Sequence, residues 1–398
     1  MVQKSLRMLL SFSLVVVLAL GFVGQGALAS NSSAGGQGRY IVIFNTGVTE
    51  AAKGALVTQF GGVVEEPIAL LGNANVVLLP PPAVQALLQT GKVLRAEEDA
   101  VVNAIAKPAP ALAQQPVETI PWGVERINAN VVWPSYNGSG VNVAIIDTGI
   151  DKDHPDLTVA GGQNFVTIRG KVDPNKWDDD NGHGTHVAGI VAAQDNNIGV
   201  VGVAPGASLY AVKVLDRRGS GYVSWIINGI DWAIDNGIRV INMSLGTTSD
   251  SQSLHVACDL AKEAGIVIVA AAGNSGDTDQ DDDVNYPARY SSVIAVAATD
   301  KNDVRAYWSS DGAEVAVAAP GVNINSTYKG GGYAVLSGTS MASPHVAGTA
   351  ALILAANPSL SLDDVKARLV ATAHDLGATG WDTYYGAGLI DAYAAAAP

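Results

Sequence analysis

From about residue 120 onward, short runs of consecutive apolar residues alternate with stretches in which apolar positions recur at the helical interval. The runs are VNVAIID (Val141–Asp147), ASLYAVKVL (Ala207–Leu215), GIRVINMSL (Gly237–Leu245), GIVIVAAAG (Gly265–Gly273) and VIAVAA (Val293–Ala298). A strand that is apolar at successive positions is buried on both faces, the mark of a parallel sheet covered by helices. Helical spacing at residues 223–235, 253–264 and 341–355 supplies the covering layers. The predicted class is therefore α/β, with a mainly parallel sheet flanked by helices. In such sheets chemistry gathers outside the carboxyl ends of the strands.

Ahead of this region lies a smaller pattern. RYIVIF (Arg39–Phe44), a helix-compatible stretch at 49–60, NVVLLP (Asn75–Pro80), a helical 82–89 and VLRAEEDAVV (Val93–Val102) predict a small α/β sandwich. AKPAPALAQQP (Ala106–Pro116) has no apolar period and reads as an exposed, protease-sensitive linker. At the start, Lys4 and Arg7 precede an apolar run from Met8 to Val23, and Ala27-Leu28-Ala29 supplies a small-x-small cleavage pattern, so 1–29 reads as a secretory signal peptide. The expected division is 1–29, 30–105, 106–116 and 117–398, with the last part carrying the chemistry.

Composition narrows the function. With 48 % hydrophobic residues the chain is folded, and a net charge of −14 argues against nucleic acid or an anionic membrane as partner. Cys258 is the only cysteine, so no internal disulfide is available to an exported chain and another staple is needed. Within LHVACDLAKEAG it reads as a small helix-face residue. The acidic runs Asp178–Asp180 and DTDQDDD (Asp277–Asp283) read as solvated, self-repelling loops, with extra cation binding as the sharper alternative.

Three segments carry chemistry at or near strand ends. Asp147 closes VAIID; His183 lies between glycines in NGHGTHVAGIVAA (Asn181–Ala193); Ser340 opens a helical run in SGTSMASPHVAGTAALI (Ser337–Ile353). Acyl transfer by serine needs a base for the hydroxyl proton, a carboxylate to orient that base, and donors for the oxyanion. His345 is nearer to Ser340 in sequence. Five residues at about 100° each, however, turn it roughly 140° away around the helix. The Gly-x-Ser-x-Gly elbow of α/β-hydrolases is absent, because Ala342 stands where its last glycine would be. Free first-turn amides beside Ser340 make a positive helix end where a negative oxygen would develop.

DTGIDKDHPDL (Asp147–Leu157), NGHGTHVAG (Asn181–Gly189), INMSLG (Ile241–Gly246), AAAGN (Ala270–Asn274) and SGTSMASPHVAG (Ser337–Gly348) together resemble the subtilisin family of serine endopeptidases. The order Asp, His, Ser along the chain is the one known from that family, and it belongs to the resemblance, since spacing alone would not set it. The resemblance covers nearly the whole chain and implies a catalytic domain at 117–398. It implies that 30–105 is a ferredoxin-like propeptide, both intramolecular chaperone and inhibitor, removed by self-processing. Asp147 would orient, His183 would be general base and acid, Ser340 the nucleophile; Asn274 and the Ser340 N–H would hold the oxyanion. His186 would be the family's non-catalytic histidine.

Polypeptide substrates would lie along Gly219-Ser220-Gly221 and Ser244-Leu245-Gly246, with Leu245, Gly273 and Asn285 shaping an uncharged primary pocket and Val223 near the second apolar pocket. The same resemblance implies structural Ca2+ held by the Asn196 side chain, the carbonyls of Gln194, Ile198 and Val200, and Asp156 and Glu118, with Glu118 in place only after the linker is cut. Carbonyls of Ala288, Tyr290 and Val293 would form a weaker cation site. The protein is expected to be secreted and monomeric, without nucleic-acid or lasting membrane contact. A silent peptide-binding protein clamped by its own leader, and a peptide ligase on the same scaffold, remain as alternative readings.

Overall fold

The computed structural model describes residues 36–106, 116–168, 170–277 and 282–397. The expected signal peptide and most of the expected linker, 107–115, lie outside the described residues. The chain divides into two compact units, one ending at Asp99 and one beginning at Ala100.

The first unit runs β1 (Gly38–Phe44), α1 (Glu50–Gln59), β2 (Val63–Ile68), β3 (Ala74–Leu79), α2 (Pro81–Leu88) and β4 (Val93–Glu98). This β-α-β-β-α-β order is the ferredoxin-like arrangement. Its sheet is antiparallel, in the order β2-β3-β1-β4. Val42, Phe44, Val77 and Leu79 of the strands pack against Leu56, Val57, Val84 and Leu87 of the helices. Thr49 caps α1 by accepting the Ala52 N–H, and prolines open α2, where the missing N–H costs nothing.

The single strand expected at 93–102 needs correction. β4 stops at Glu98 because Asp99 turns back on Arg39, taking its guanidinium on the carboxylate. The remainder becomes β5 (Val101–Ala104), a strand of the second unit.

In the second unit seven parallel strands take the order β14-β13-β12-β10-β6-β8-β7. They are β6 (Asn142–Asp147), β7 (Val159–Asn164), β8 (Ser208–Lys213), β10 (Val240–Met243), β12 (Val267–Ala271), β13 (Ile294–Thr299) and β14 (Val315–Pro320). The central strands are apolar at successive positions and completely buried, as the pattern of the sequence requires. Helix α3 (His183–Ala192) packs against α6 (Thr339–Ala356), which lies along β10, β12, β13 and β14. A second packed pair is α4 (Val223–Asp235) and α5 (Gln252–Glu263).

The chain runs from β6 through β7 and α3 to β8 on one side, then through α4 to β10 on the other. Strand order thus reverses around β6, and the crevice outside its carboxyl end is where this topology places a site. Small strands β9 (Ser220–Tyr222) and β11 (Leu245–Gly246) flank β5, while β15 (Ile324–Tyr328) and β16 (Gly332–Leu336) form a hairpin; α7 (Leu362–Thr372) follows α6. Among the described residues no helix is long and apolar enough to cross a membrane.

Candidate active site

Asp147 is the last residue of β6 and is fully buried. Its carboxylate accepts the Thr148 N–H at 2.7 Å and His183 Nδ1 at 2.7 and 2.9 Å to its two oxygens. This bond assigns the proton to Nδ1 and leaves Nε2 as the basic nitrogen. His183 opens α3, and the close seat of that helix on the strand end depends on the next residue. A Cβ at Gly184 would lie 2.1 Å from the Gly149 carbonyl oxygen and 3.2 Å from Asp147 Cβ, so only glycine lets the first turn settle there. Burial disfavours the imidazolium, but the charge and hydrogen bond of Asp147 outweigh it and hold the His183 pKa above its ordinary value.

Ser340 is the second residue of α6 and is buried. Its hydroxyl donates to the Ser244 carbonyl at 3.0 Å, while the Ser244 hydroxyl donates to the Ser340 carbonyl at 2.8 Å. His183 Nε2 is buried without a hydrogen-bond partner. The Asp147–His183 pair is therefore formed, whereas the serine hydroxyl is turned to Ser244 and makes no hydrogen bond to His183. His345 stands apart: its Nδ1 donates to the Met341 carbonyl at 2.8 Å, its Nε2 abuts Gly123, and burial pushes its pKa down to about 4. His186 uses Nε2 against the carbonyls of Ile324 and Ala334 at 3.1 and 3.0 Å, and burial pushes it down to about 3.

Asn274, just beyond β12, accepts from the Thr339 N–H and hydroxyl on Oδ1, each at 3.0 Å. That fixes which way the amide faces. Nδ2 then donates to the Ile105 carbonyl at 3.0 Å. Thr339 was not anticipated from the sequence, although its place directly before Ser340 was the available signal.

The segment that delivers Ile105 is β5, antiparallel to both β9 and β11. Ala104 N–H donates to the Gly219 carbonyl at 2.8 Å, Ile105 N–H to the Ser244 carbonyl at 3.3 Å, and Val223 N–H to the Ala100 carbonyl at 3.0 Å. The Ser220 hydroxyl donates to the Asn103 side chain at 2.7 Å; Gly221 pairs with Val102, Leu245 with Ala104 and Gly246 with Asn103. Gly246 forms a pocket wall, since a Cβ there would meet Ile105 Cδ1 at 2.7 Å and Asn285 Cβ at 3.0 Å. A Cβ at Gly273 would likewise meet the Asn285 amide at 3.0 Å. Val223 itself is fully buried, so it touches this segment through its backbone N–H. A cavity of about 130 Å³ opens beside His183 and Ala106, with Asn181, Arg218, Tyr328 and Leu336 on its walls.

The residues named for calcium come together in one loop. Glu118 accepts the N–H groups of Asn196 and Asn197 at 2.6 and 2.9 Å, and bridges pair Val117 with Ile198 and Thr119 with Val200. Asn196 Nδ2 donates to Asp156 at 3.2 Å and to the Gln194 side chain at 3.4 Å; the Val200 N–H donates to Asp156 at 3.0 Å. Glu118 is thus seated on the 194–200 loop in the structure of the full-length chain, the position the resemblance gave it only after the linker is cut. The donor set is all oxygen, and burial with the nearby Glu118 charge pushes Asp156 up to about 6 against the bonds it accepts. A buried carboxylate beside a second one fits a hard divalent cation. Among the described residues no cluster of three or more His, Cys, Asp or Glu side chains is poised for a metal, so such a site would depend on amide and backbone oxygens. Ala288, Tyr290 and Val293 are buried in a turn in which the Tyr290 carbonyl already accepts the Val293 N–H.

Within the first acidic run Asp179 departs from the reading as a solvated loop, while Asp178 and Asp180 are exposed. Asp179 is buried and hydrogen-bonded on both oxygens, and Asp180 pairs with Lys213 at 2.7 Å. In the second run Asp282 pairs with Arg289 and Asp283 accepts the Asp311 N–H at 2.8 Å, while residues 278–281 lie outside the described residues.

A parallel sheet that carries a carboxylate and an imidazole at its carboxyl edge, with an extended segment held between two strands beside a buried serine, has the layout of a serine peptidase. The subtilase family model matches residues 138–388. Subtilisin E of Bacillus subtilis (strain 168) is 44 % identical over 99 % of both chains. Subtilisin DY of Bacillus licheniformis is 54 % identical over 70 % of this chain and 99 % of its own. The Thermostable alkaline protease of Halalkalibacterium halodurans is 48 % identical over 78 % of this chain and 82 % of its own. The chain belongs to the subtilase family and is a serine endopeptidase.

Proposed function

We propose that this endopeptidase is an exported, calcium-stabilised zymogen that cuts its own chain between Ile105 and Ala106. The observation that carries the reading is the Ile105 carbonyl resting on the Asn274 amide, with the residues before it paired as an added strand between β9 and β11. In the proposed reaction His183 Nε2 takes the proton of Ser340 Oγ as the oxygen bonds to the Ile105 carbonyl carbon. The negative oxygen is held by Asn274 Nδ2 and by the Ser340 N–H, a first-turn amide of α6. The imidazolium, oriented and stabilised by Asp147, returns the proton from Nε2 to the Ala106 nitrogen as the C–N bond breaks. Water entering from the cavity beside Ala106 then frees the acyl group.

After the cut, residues 30–105 would serve as a cleaved inhibitor, because their last strand fills the cleft that a substrate needs. The same pairing would receive extended polypeptide substrates. A pocket of Leu245, Gly246, Gly273 and Asn285, with no charge and an isoleucine seated in it, favours apolar or uncharged residues before the cut bond. Bound calcium would join the 194–200 loop to Glu118 and Asp156 and neutralise their charges. Every residue in the proposed machinery comes from one chain, which suits a monomer. The apolar run and cleavage pattern before residue 30 support export.

Incubating the purified full-length chain and sequencing the product N-termini tests the reading. A first-formed N-terminus at Ala106 in the wild type, with none in Ser340→Ala, is expected. Loss of residues 30–105 from Ser340→Ala without added protease would contradict self-processing.

A further inference from the structure

Asp179 stands four residues before His183, yet it is one of the most enclosed carboxylates in the catalytic unit. Its Oδ1 accepts the Asn181 N–H, the Gly182 N–H and the Thr148 hydroxyl, each at 2.9 Å. Its Oδ2 accepts the Thr185 N–H at 2.9 Å and the Thr185 hydroxyl at 2.6 Å. All five donors are neutral. Lys213, in register with Asp147 on the neighbouring strand, is engaged instead by Asp180 and the Thr148 carbonyl. Among the described residues no lysine or arginine pairs with Asp179, and a buried carboxylate in that state is costly to keep, so its five donors ask for an explanation.

The donors come from the two pieces whose mutual placement sets the Asp147–His183 pair. Thr148 follows Asp147 directly at the end of β6, and its hydroxyl both donates to Asp179 and accepts the Gly184 N–H at 2.9 Å. Asn181, Gly182 and Thr185 surround His183 at the start of α3. We infer that Asp179 is a positioning residue for the peptidase: a buried anion that clamps the first turn of the His183 helix to the Asp147 strand end and favours the imidazolium formed during acyl transfer. This rests on the assignment of His183 as base and Asp147 as its partner.

Geometry and electrostatics point the same way. Gly184, in the clamped turn, lies directly against Gly149 and Asp147 at the strand end, so a small displacement of the turn moves His183 relative to Asp147. The groups facing His183 are Asp147 on β6, Asp179 in the loop before α3 and His186 on its own helix, with the Lys213–Asp180 pair on the neighbouring strand end and Arg218 across the open cavity. His186 is neutral through burial, so the two carboxylates are the negative charges that raise the His183 pKa against desolvation, with Asp147 the larger contributor. Burial raises the pKa of Asp179 itself, and its five donors oppose that rise.

Two variants test the inference. In the full-length Ser340→Ala chain, His183 is titrated by 15N NMR with and without Asp179→Asn, so that no maturation step is required. The His183 pKa is expected to fall by about half a unit or more when the buried charge is removed. In the Ser340 enzyme, Thr148→Val removes the shared hydroxyl while leaving the carboxylate. There kcat is expected to fall about tenfold or more, with KM and melting temperature little changed, because small misplacements of a base are expensive.

A wild-type His183 pKa in Asp179→Asn, or wild-type kcat in Thr148→Val, overturns the inference. If Asp179→Asn does not fold, Thr148→Val decides alone. An acid limb of wild-type kcat/KM that does not follow the NMR pKa would instead remove the underlying assignment of His183.

Discussion

Replacing Asn274 by alanine removes one donor at the place where the proposed oxyanion develops. The structure separates the two ends of this side chain. Oδ1 is committed to the Thr339 N–H and hydroxyl at 3.0 Å each, while Nδ2 meets the Ile105 carbonyl at 3.0 Å. In the ground state that carbonyl is neutral and the bond contributes about 1 kcal/mol; once the oxygen carries charge a hydrogen bond to it is worth about 1.5–3 kcal/mol. The donor should therefore act mainly on the transition state. At 1.36 kcal/mol per tenfold, a loss of that size is a drop of roughly 10- to 150-fold in kcat/KM, and the part beyond the ground-state bond falls on kcat. Asn274→Asp is the sharper variant, since it preserves the acceptor for Thr339 but presents an anion to the oxyanion, and it should be at least as slow as alanine. Steady-state kinetics on a peptide amide, with the melting temperature as a folding control, measures both. A fall in kcat of less than about threefold, or a fall expressed chiefly as a rise in KM, would refute the assignment of Asn274 to the oxyanion.

Other perturbations follow from individual contacts. His345 is held neutral by burial with a pKa near 4, below the ordinary 6.5, so the unfolded chain binds more protons between those values. Its contribution is complete above pH 6.5 and about 3 kcal/mol is lost as pH falls to 4; denaturation of Ser340→Ala chains with and without His345→Gln should show a shallower acid loss in the glutamine variant. Gly184→Ala places a Cβ against the Gly149 carbonyl, a backbone atom that cannot yield, and should abolish activity or folding, as read by kcat and circular dichroism. Chelation of divalent ions should lower the melting temperature of the wild type, with a smaller effect in Glu118→Gln, where one of the two loop carboxylates is gone; equal shifts would remove Glu118 from the metal site.

What was legible in the sequence divides along physical lines. Buried parallel strands announce themselves because both faces must be apolar; β6, β8, β10 and β12 lie within the predicted runs, and β13 exceeds its run by Thr299 alone. Asp147 could be placed at a strand end for the same reason. Rejecting His345 as the partner of Ser340 needed only the helical repeat, and in the fold its Nδ1 bonds the Met341 carbonyl. Asp179 was illegible because three successive aspartates look alike in sequence, and the choice of which one is buried is made by Thr148, 31 positions away, through its hydroxyl. Ile105 was equally hidden. Which carbonyl reaches Asn274 is a matter of register between β5 and its two neighbours, and a strand of four residues fixes register poorly by pattern alone.

Glu118 joins these observations to the linker. The resemblance implied that it docks only after the linker is cut. Here the Ile105 carbonyl rests on Asn274 while bridges hold Val117 and Thr119 at the loop, and both arrangements exist in an uncut chain. Eleven residues, 106–116, separate the two anchors, and such a length can span roughly 36–40 Å when extended. On the proposed calcium role, binding at this loop would not need to wait for the cut. The chelator-dependent fall in melting temperature should consequently appear in full-length Ser340→Ala as well as in the processed enzyme, whereas a fall confined to the processed enzyme would restore cleavage as the step that brings Glu118 into place.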